Sequence, residues 1–273
     1  MDSILPYAVC ALLYAAVTTW RWRVTVQGSQ AVEQRTGLLE RHAAIVPLAL
    51  HTMLLVRDMF AGGNLYLGIG TAVSLILWVT MVIYWAGGFF YRLDGLQVLT
   101  MPLAALAVIL PGLSPAPQAI PNTGLAAFKV HLLISILSYS LFTIASLHVA
   151  LMALLERGLH EGSLPGPLRR LPPLLTMEAM LFRIIWAGFI LLTLTIVSGA
   201  VFSEELFGKA ARFNHKTVFG VLSWGIFAAL LCGRHVYGWR GRRAVRWTLA
   251  GFMCLVLAYL GSKFVVEVIL GRV

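Results

Sequence analysis

The sequence predicts an all-α, polytopic membrane helix bundle of about eight transmembrane helices, with both termini on the outer side. Three observations predict it. Of 273 residues, 59% are hydrophobic and only 12% charged, about half the charge of an ordinary soluble domain. Mean hydropathy is +0.85, and apolar runs long enough to span recur from end to end. No room is left for a second soluble domain, so residues 1–273 read as a single transmembrane helical domain. Lys and Arg are also unevenly shared: with the amino terminus outside, 14 of the 21 fall in inner loops, the bias that sets membrane orientation.

The runs are 4–20, 42–58, 64–85, 95–112, 128–154, 183–202, 216–235 and 248–268. The first follows Asp2 without a basic leader region, so it is expected to be a retained helix and not a cleaved signal peptide. The second carries His51 near its middle. The fourth ends in a loop, 111–127, rich in Pro and Gly and expected to be external. The fifth is the longest. The internal loop after it, 156–182, holds Pro165, Pro167, Pro172 and Pro173, which argue against a regular helix through its centre. Glu178 opens the approach to the sixth run, where Thr193, Thr195, Ser198 and Gly199 suit close helix–helix contact. The seventh has a histidine at each end, followed by the turn GWRGRR, 238–243. No repeat of fixed period is visible.

Composition also excludes. The net charge of +10 is carried by loop arginines at one membrane face and does not imply nucleic acid; anionic lipid is its expected counterpart. Cys10, Cys232 and Cys254 are far apart and form no CxxC, which argues against thiol–disulfide chemistry and covalent haem attachment to this chain. No HExxH and no nucleophile, base and oxyanion-stabilising set can be assembled, so no enzymatic turnover is expected.

Ionisable residues inside a bilayer are costly and mark candidate sites. Of seven histidines, His42 and His160 fall in inner loops and are expected to be solvated. His131 and His215 begin the fifth and seventh runs at the outer face; His235 ends the seventh at the inner face. The twenty residues from His215 to His235 rise ~30 Å, about one hydrocarbon thickness, so these two cannot share a ligand. His131, Ser135, Ser138, Phe142 and Ala145 share one stripe, which fits either a flat cofactor or ordinary bundle packing. His148 lies about 260° round that helix from His131.

Neutral imidazole is a good axial ligand for iron, and two from different helices can clamp a haem. On depth, His131 pairs best with His215. Lys129, Lys209, Arg212 and Lys216 cluster at that face, either to meet haem propionates or as plain interfacial cations. A second pair, His51 with His235, is mismatched in depth by roughly 12 Å. The candidate cofactor and metal ligands are therefore His51, His131, His215 and His235.

Four stretches carry a family resemblance: LHTMLLVRDMFAGGNLY (50–66), KVHLLISILSYSLFTIA (129–145), the helix of 178–202 ending Ser-Gly-Ala-Val-Phe, and the stretch 215–243 ending GWRGRR. In this order they resemble the cytochrome c assembly membrane-protein family (the CcsA/CcmC/HemX-like group), most closely its short YpjD-type members. The resemblance implies a multi-pass protein of the bacterial inner membrane that handles haem, so the outer side on which the charge count puts both termini would be the periplasm. It also implies His51 and His235 as buried ligands, His131 as an outer one, and apocytochrome c or other cytochrome-assembly membrane proteins as partners. Two departures stand out: the loop SEELFGKAARFN (203–214) lacks the tryptophans of the family's haem-presenting members, and the last helix has no histidine. Haem binding is thus the firmer expectation and haem delivery the weaker one. The alternatives are a cofactor-free membrane scaffold or transporter accessory subunit, or a b-type electron carrier.

Overall fold

A bilayer offers the backbone no hydrogen-bond partner, so apolar runs that enter one fold as helices, which satisfy their own N–H and C=O groups. The computed structural model describes residues 4–27, 42–61, 64–90, 97–115, 119–120, 123–162, 171–201, 215–265 and 269. Its helices are α1 (Leu5–Gln27), α2 (Ile45–Met59), α3 (Ile69–Gly87), α4 (Gln97–Ala107), the single turn α5 (Leu110–Leu113), α6 (Ala126–His160), α7 (Leu174–Val201), α8 (His215–Tyr237) and α9 (Arg242–Val256). Beyond α9 the chain continues through a π-helical turn, Leu257–Gly261, into Ser262–Phe264. A short antiparallel hairpin, β1 (Phe60–Ala61) with β2 (Asn64–Leu65), follows α2.

Each of the eight apolar runs holds a helix, and the all-helical membrane class stands. Five of the described helices are long and apolar enough to cross a bilayer: α3, α6, α7, α8 and the stretch Arg242–Phe264. The other three runs fall short for identifiable reasons. Helix α1 takes in the polar segment TTWRWR; α2 has only 15 residues; α4 stops at Ala107 and resumes as one turn. Boundaries also moved. Helix α7 begins at Leu174, directly after Pro172 and Pro173 and well before the expected 183. Proline is tolerated at a helix start, where its missing N–H has no partner to lose.

Helices α6 to α9 run up and down as a four-helix bundle: α6 packs on α7, α7 on α8, α8 on α9 and α9 back on α6. At its centre Phe142 of α6 stacks on Phe227 of α8, with centroids 3.9 Å apart. Two glycines make the space. A Cβ at Gly188 of α7 would lie 3.1 Å from Phe142, and one at Gly251 of α9 would lie 2.8 Å from Phe227. One turn earlier on each phenylalanine helix, a serine donates to the carbonyl of the same glycine: Ser138 to Gly188 at 3.3 Å and Ser223 to Gly251 at 2.8 Å. The next residue on each helix donates across to the other pair. Tyr139 reaches the Leu255 carbonyl, and the Trp224 indole reaches Thr193 Oγ1, both at 2.9 Å. The bundle is therefore two copies of one helix-pair unit, Ser-aromatic-x-x-Phe facing a glycine.

The buried glycine makes a prediction. Gly251→Ala forces the enclosed Phe227 ring to move and is expected to cost about 1–3 kcal/mol of stability. Gly225→Ala on α8, where a Cβ meets nothing within 4 Å, is expected to be neutral or to stabilise by up to about 1 kcal/mol through helix propensity. Thermal unfolding of the two variants in detergent checks the opposite signs.

Helices α1 to α4 form the remaining part, with α3 also packed on α6. The chain ends group in two sets. Lys216, Lys263, His131, His215 and the hairpin share one end, the lysine end; Arg234, Arg240, Arg242, Arg243 and Arg246 share the other, the arginine end.

Candidate functional site

His131 lies in the second turn of α6 at the lysine end and is half-buried. Its Nδ1 is 2.8 Å from Ser198 Oγ on α7. Ser198 Oγ is also 3.1 Å from the Thr195 carbonyl, so the hydroxyl bridges the imidazole and its own helix. The serine behind Nδ1 fixes the orientation of the ring, as such partners do behind metal-ligating imidazoles. Next to Ser198, Gly199 lets α7 approach: a Cβ there would stand 3.3 Å from His131 Cε1. The small polar cluster that the sequence assigned to helix contact thus holds the imidazole.

His215 is exposed and opens α8. The Trp224–Thr193 bond sets the register of α8 against α7. From it, Ser198 lies five residues and His215 nine residues toward the lysine end, ~7.5 and ~13.5 Å. His215 therefore sits about one turn beyond the His131–Ser198 contact, and the expected outer pair shares one end of the bundle. Of the cations expected there, Lys129 is exposed on α6, while Lys209 and Arg212 lie outside the described residues.

The second expected pair is not brought together. His51 is fully enclosed between α1, α2 and α3. Its Nε2 is 2.8 Å from Ser74 Oγ and its Nδ1 3.3 Å from the hydroxyl of Tyr14, itself fully buried. Both ring nitrogens are engaged, and the three helices are tied through them. His235 is exposed in the last turn of α8, at the arginine end of the four-helix bundle.

Two features escaped sequence reasoning. His148 is buried, with Nε2 donating to the Met177 carbonyl at 2.9 Å while Nδ1 has no hydrogen-bond partner. Lys263, at the end of the last helix, donates to the Leu67 carbonyl below the hairpin. Its ammonium lies 6.0 Å from the centre of the Tyr259 ring, and the Lys216 ammonium lies 5.7 Å from the same ring. Nothing in the sequence pattern links residues 216 and 263; both are apolar-run neighbours of ordinary interfacial type.

The arginine end is a clamp. Glu178, buried in the first turns of α7, takes Arg234 at 2.7 Å and Arg240 at 3.4 Å. It also accepts from the Gly241 N–H, at 3.3 Å, where α9 begins. Arg234 donates to the Trp239 carbonyl at 3.2 Å and lies over the Phe182 ring. The Trp239 indole occupies the place a side chain at residue 233 would need: a Cβ on Gly233 would fall 2.4 Å from it. Gly238 and Gly241 supply positive φ values of 63° and 55° for the reversal. These residues hold a turn and leave no carboxylate over for chemistry. Among the described residues no group of three or more His, Cys, Asp or Glu could hold a bare metal ion.

Comparison with known proteins places the sequence in a family. The profile of the family described as Cytochrome C assembly protein matches residues 39–270. The chain is 30% identical over 246 residues to the "Inner membrane protein YpjD" of Escherichia coli (strain K12), covering 86% of this chain and 90% of that one. An "Uncharacterized 28.8 kDa protein in nifR3-like 5'region" of Azospirillum brasilense is 28% identical over 214 residues, 77% of this chain and 79% of that protein. The "Cytochrome c biogenesis protein CcsA" of Gloeobacter violaceus is 35% identical over 92 residues, 34% of this chain and 27% of that protein. No solved structure matches the chain.

Proposed function

This chain belongs to the Cytochrome C assembly protein family, and from that premise we propose that it is a multi-pass protein of the bacterial inner membrane that binds haem through His131 and handles it in cytochrome c maturation. The single observation that carries the proposal is the imidazole of His131, held by Ser198 at the lysine end. A porphyrin already supplies four nitrogen ligands to its iron, so one or two imidazoles complete the set. That suits a chain whose described residues offer no three-ligand cluster for a free ion. His215, at the same end, is the candidate second ligand. His51 and His235 take part, on this reading, only in a separate inner site. For His51 that use requires Ser74 or Tyr14 to release a ring nitrogen.

Orientation follows from charge. The arginine end carries the excess of Lys and Arg expected of a cytoplasmic face, which puts His131 and His215 on the periplasmic side. There, bound haem is open to apocytochrome c or to a neighbouring assembly protein. On this reading the chain's own residues hold and orient the ligand.

The test is a pigment. The full chain, made with ample haem and purified in detergent, is expected to show the reduced-minus-oxidised bands of imidazole-ligated haem. His131→Ala should weaken haem binding at least about tenfold, a loss of roughly 1.4 kcal/mol or more. A folded, colourless protein that takes up no added haem would instead support the cofactor-free scaffold.

A further inference from the structure

A charged side chain on a membrane-spanning helix normally turns inward or meets an opposite charge. Two arginines of the bundle stand at one level and behave differently. The Trp224–Thr193 bond ties α8 to α7, and Arg234 and Arg183 each lie ten residues on toward the arginine end, ~15 Å. Arg234 turns in to Glu178. Arg183 is exposed, and no described residue makes a hydrogen bond, ion pair or ring contact with it. The Glu178 clamp is five residues further out, so Arg183 stands ~7.5 Å nearer the middle of the bilayer than the clamp. The helical period puts Arg183 diametrically opposite the buried side of α7, which holds Leu181, Ile185 and Leu192. Helix α7 is also the least enclosed of the five spans: 17% of its spanning residues are buried, against 28–44% in the others. Ala179 and Ala187, one turn either side of Arg183 and both exposed, allow the backbone of another helix to come close.

We propose that the outward face of α7 around Arg183 seats a transmembrane helix of another protein, one that carries a carboxylate at this level. Charge decides the occupant, since a guanidinium with no neighbour in its own chain is matched by a carboxylate in fork geometry. A second copy of this chain does not supply one. Of its described carboxylates, Glu178 is spent on the clamp, Glu156 and Glu161 meet Arg242 and Arg157, and Asp58 is held by Arg57 and Tyr7. Lipid phosphate is the competing occupant, because the Arg183 stem leans toward the arginine end and can reach the headgroups. Phosphate would be met equally well beside bulky neighbours; the alanines on both sides favour a helix.

The purified full chain, with a donor fluorophore on the exposed Cys232 thiol, is reconstituted in phosphatidylcholine vesicles. It is mixed with acceptor-labelled Leu-rich transmembrane peptides that carry either Glu or Leu about two turns inside one end. Energy transfer reports association. The wild type is expected to bind the Glu peptide about tenfold more tightly than the Leu peptide. R183Q should abolish that preference and R183K should keep it. A187W, which leaves the charge in place and fills the approach, should weaken association with the Glu peptide. Protection of the buried Cys10 thiol reports whether each variant is folded; A187W carries the test alone if R183Q is not. Equal binding of the two peptides by the wild type overturns the proposal and leaves lipid phosphate as the occupant. A preference that survives in R183Q or is untouched in A187W overturns it too. So does self-association between donor- and acceptor-labelled chains that R183Q removes, which would make the occupant a second copy. None of these results bears on His131 as a haem ligand.

Discussion

Glu178→Ala is expected to destabilise the protein by about 3 kcal/mol, because removing one partner of a buried ion pair leaves the other charge uncompensated. The Glu178 side chain is 8% exposed and that of Arg234 25%, so Arg234 recovers some water and the effect sits at the low end of the usual range of about 3–5 kcal/mol. Arg240, 62% exposed, adds little. The loss is also structural: the Gly241 N–H loses its acceptor where α9 starts, and Arg234 no longer braces the Trp239 carbonyl against the reversal. Glu178→Gln keeps an acceptor for Gly241 but no charge, and should lie between wild type and Glu178→Ala. The measurement is thermal unfolding in detergent, read by exposure of the buried Cys10 thiol to a fluorogenic maleimide. At about 2–4 °C per kcal/mol for a chain of this size, the midpoint should fall by roughly 6–12 °C. A midpoint within about 2 °C of wild type would mean that packing of Trp239 alone holds the turn.

Gly70→Val should cost a similar amount for a different reason. Gly70 lies in the first turn of α3, against the single turn α5. A Cβ there would stand 2.3 Å from Ser114 Oγ, 2.6 Å from the Leu110 carbonyl oxygen and 2.8 Å from its carbon. The serine hydroxyl can rotate away; the Leu110 backbone cannot, because its carbonyl already accepts from Ser114 N–H at 2.9 Å. Helix and turn must separate, which places the cost at the upper end of the overpacking range, about 3 kcal/mol. The same thermal assay reads it. Gly70→Val should also expose Tyr7, whose ring faces Gly112 of α5 and whose hydroxyl donates to Asp58 at 2.8 Å. An unshifted midpoint would show that α5 is free to move away from α3.

Much of the fold was legible along the chain. Apolar length located every helix, but the sixth was expected from 183, whereas it starts at Leu174, directly after Pro172 and Pro173, and so includes Glu178. Proline was read there as a breaker, whereas the chain uses it as a helix start. The repeated unit was not legible. Ser138 and Ser223 are 85 residues apart while Gly188 and Gly251 are 63 apart, so no fixed period exists. Its aromatic member is Tyr in one copy and Trp in the other. Only equivalent contacts reveal it.

For the site, depth reasoning put His131 and His215 at one end, since helical rise converts residue number into height. It also set His51 and His235 at different depths. It could not show that Tyr14 and Ser74 occupy both nitrogens of His51, that the Met177 carbonyl takes one nitrogen of His148, or that Lys263 meets Lys216 at Tyr259.

What the sequence by itself determined is class, helix placement and family: these depend on how each segment is solvated, and in a bilayer every backbone group must be satisfied within its own helix. Tertiary structure alone decided which hydroxyl holds which imidazole, and which two ammonium groups meet at one ring. Such features arise where side chains far apart in the chain come within 3 or 6 Å of each other, and rotation of one helix about its axis would undo them without altering any local propensity.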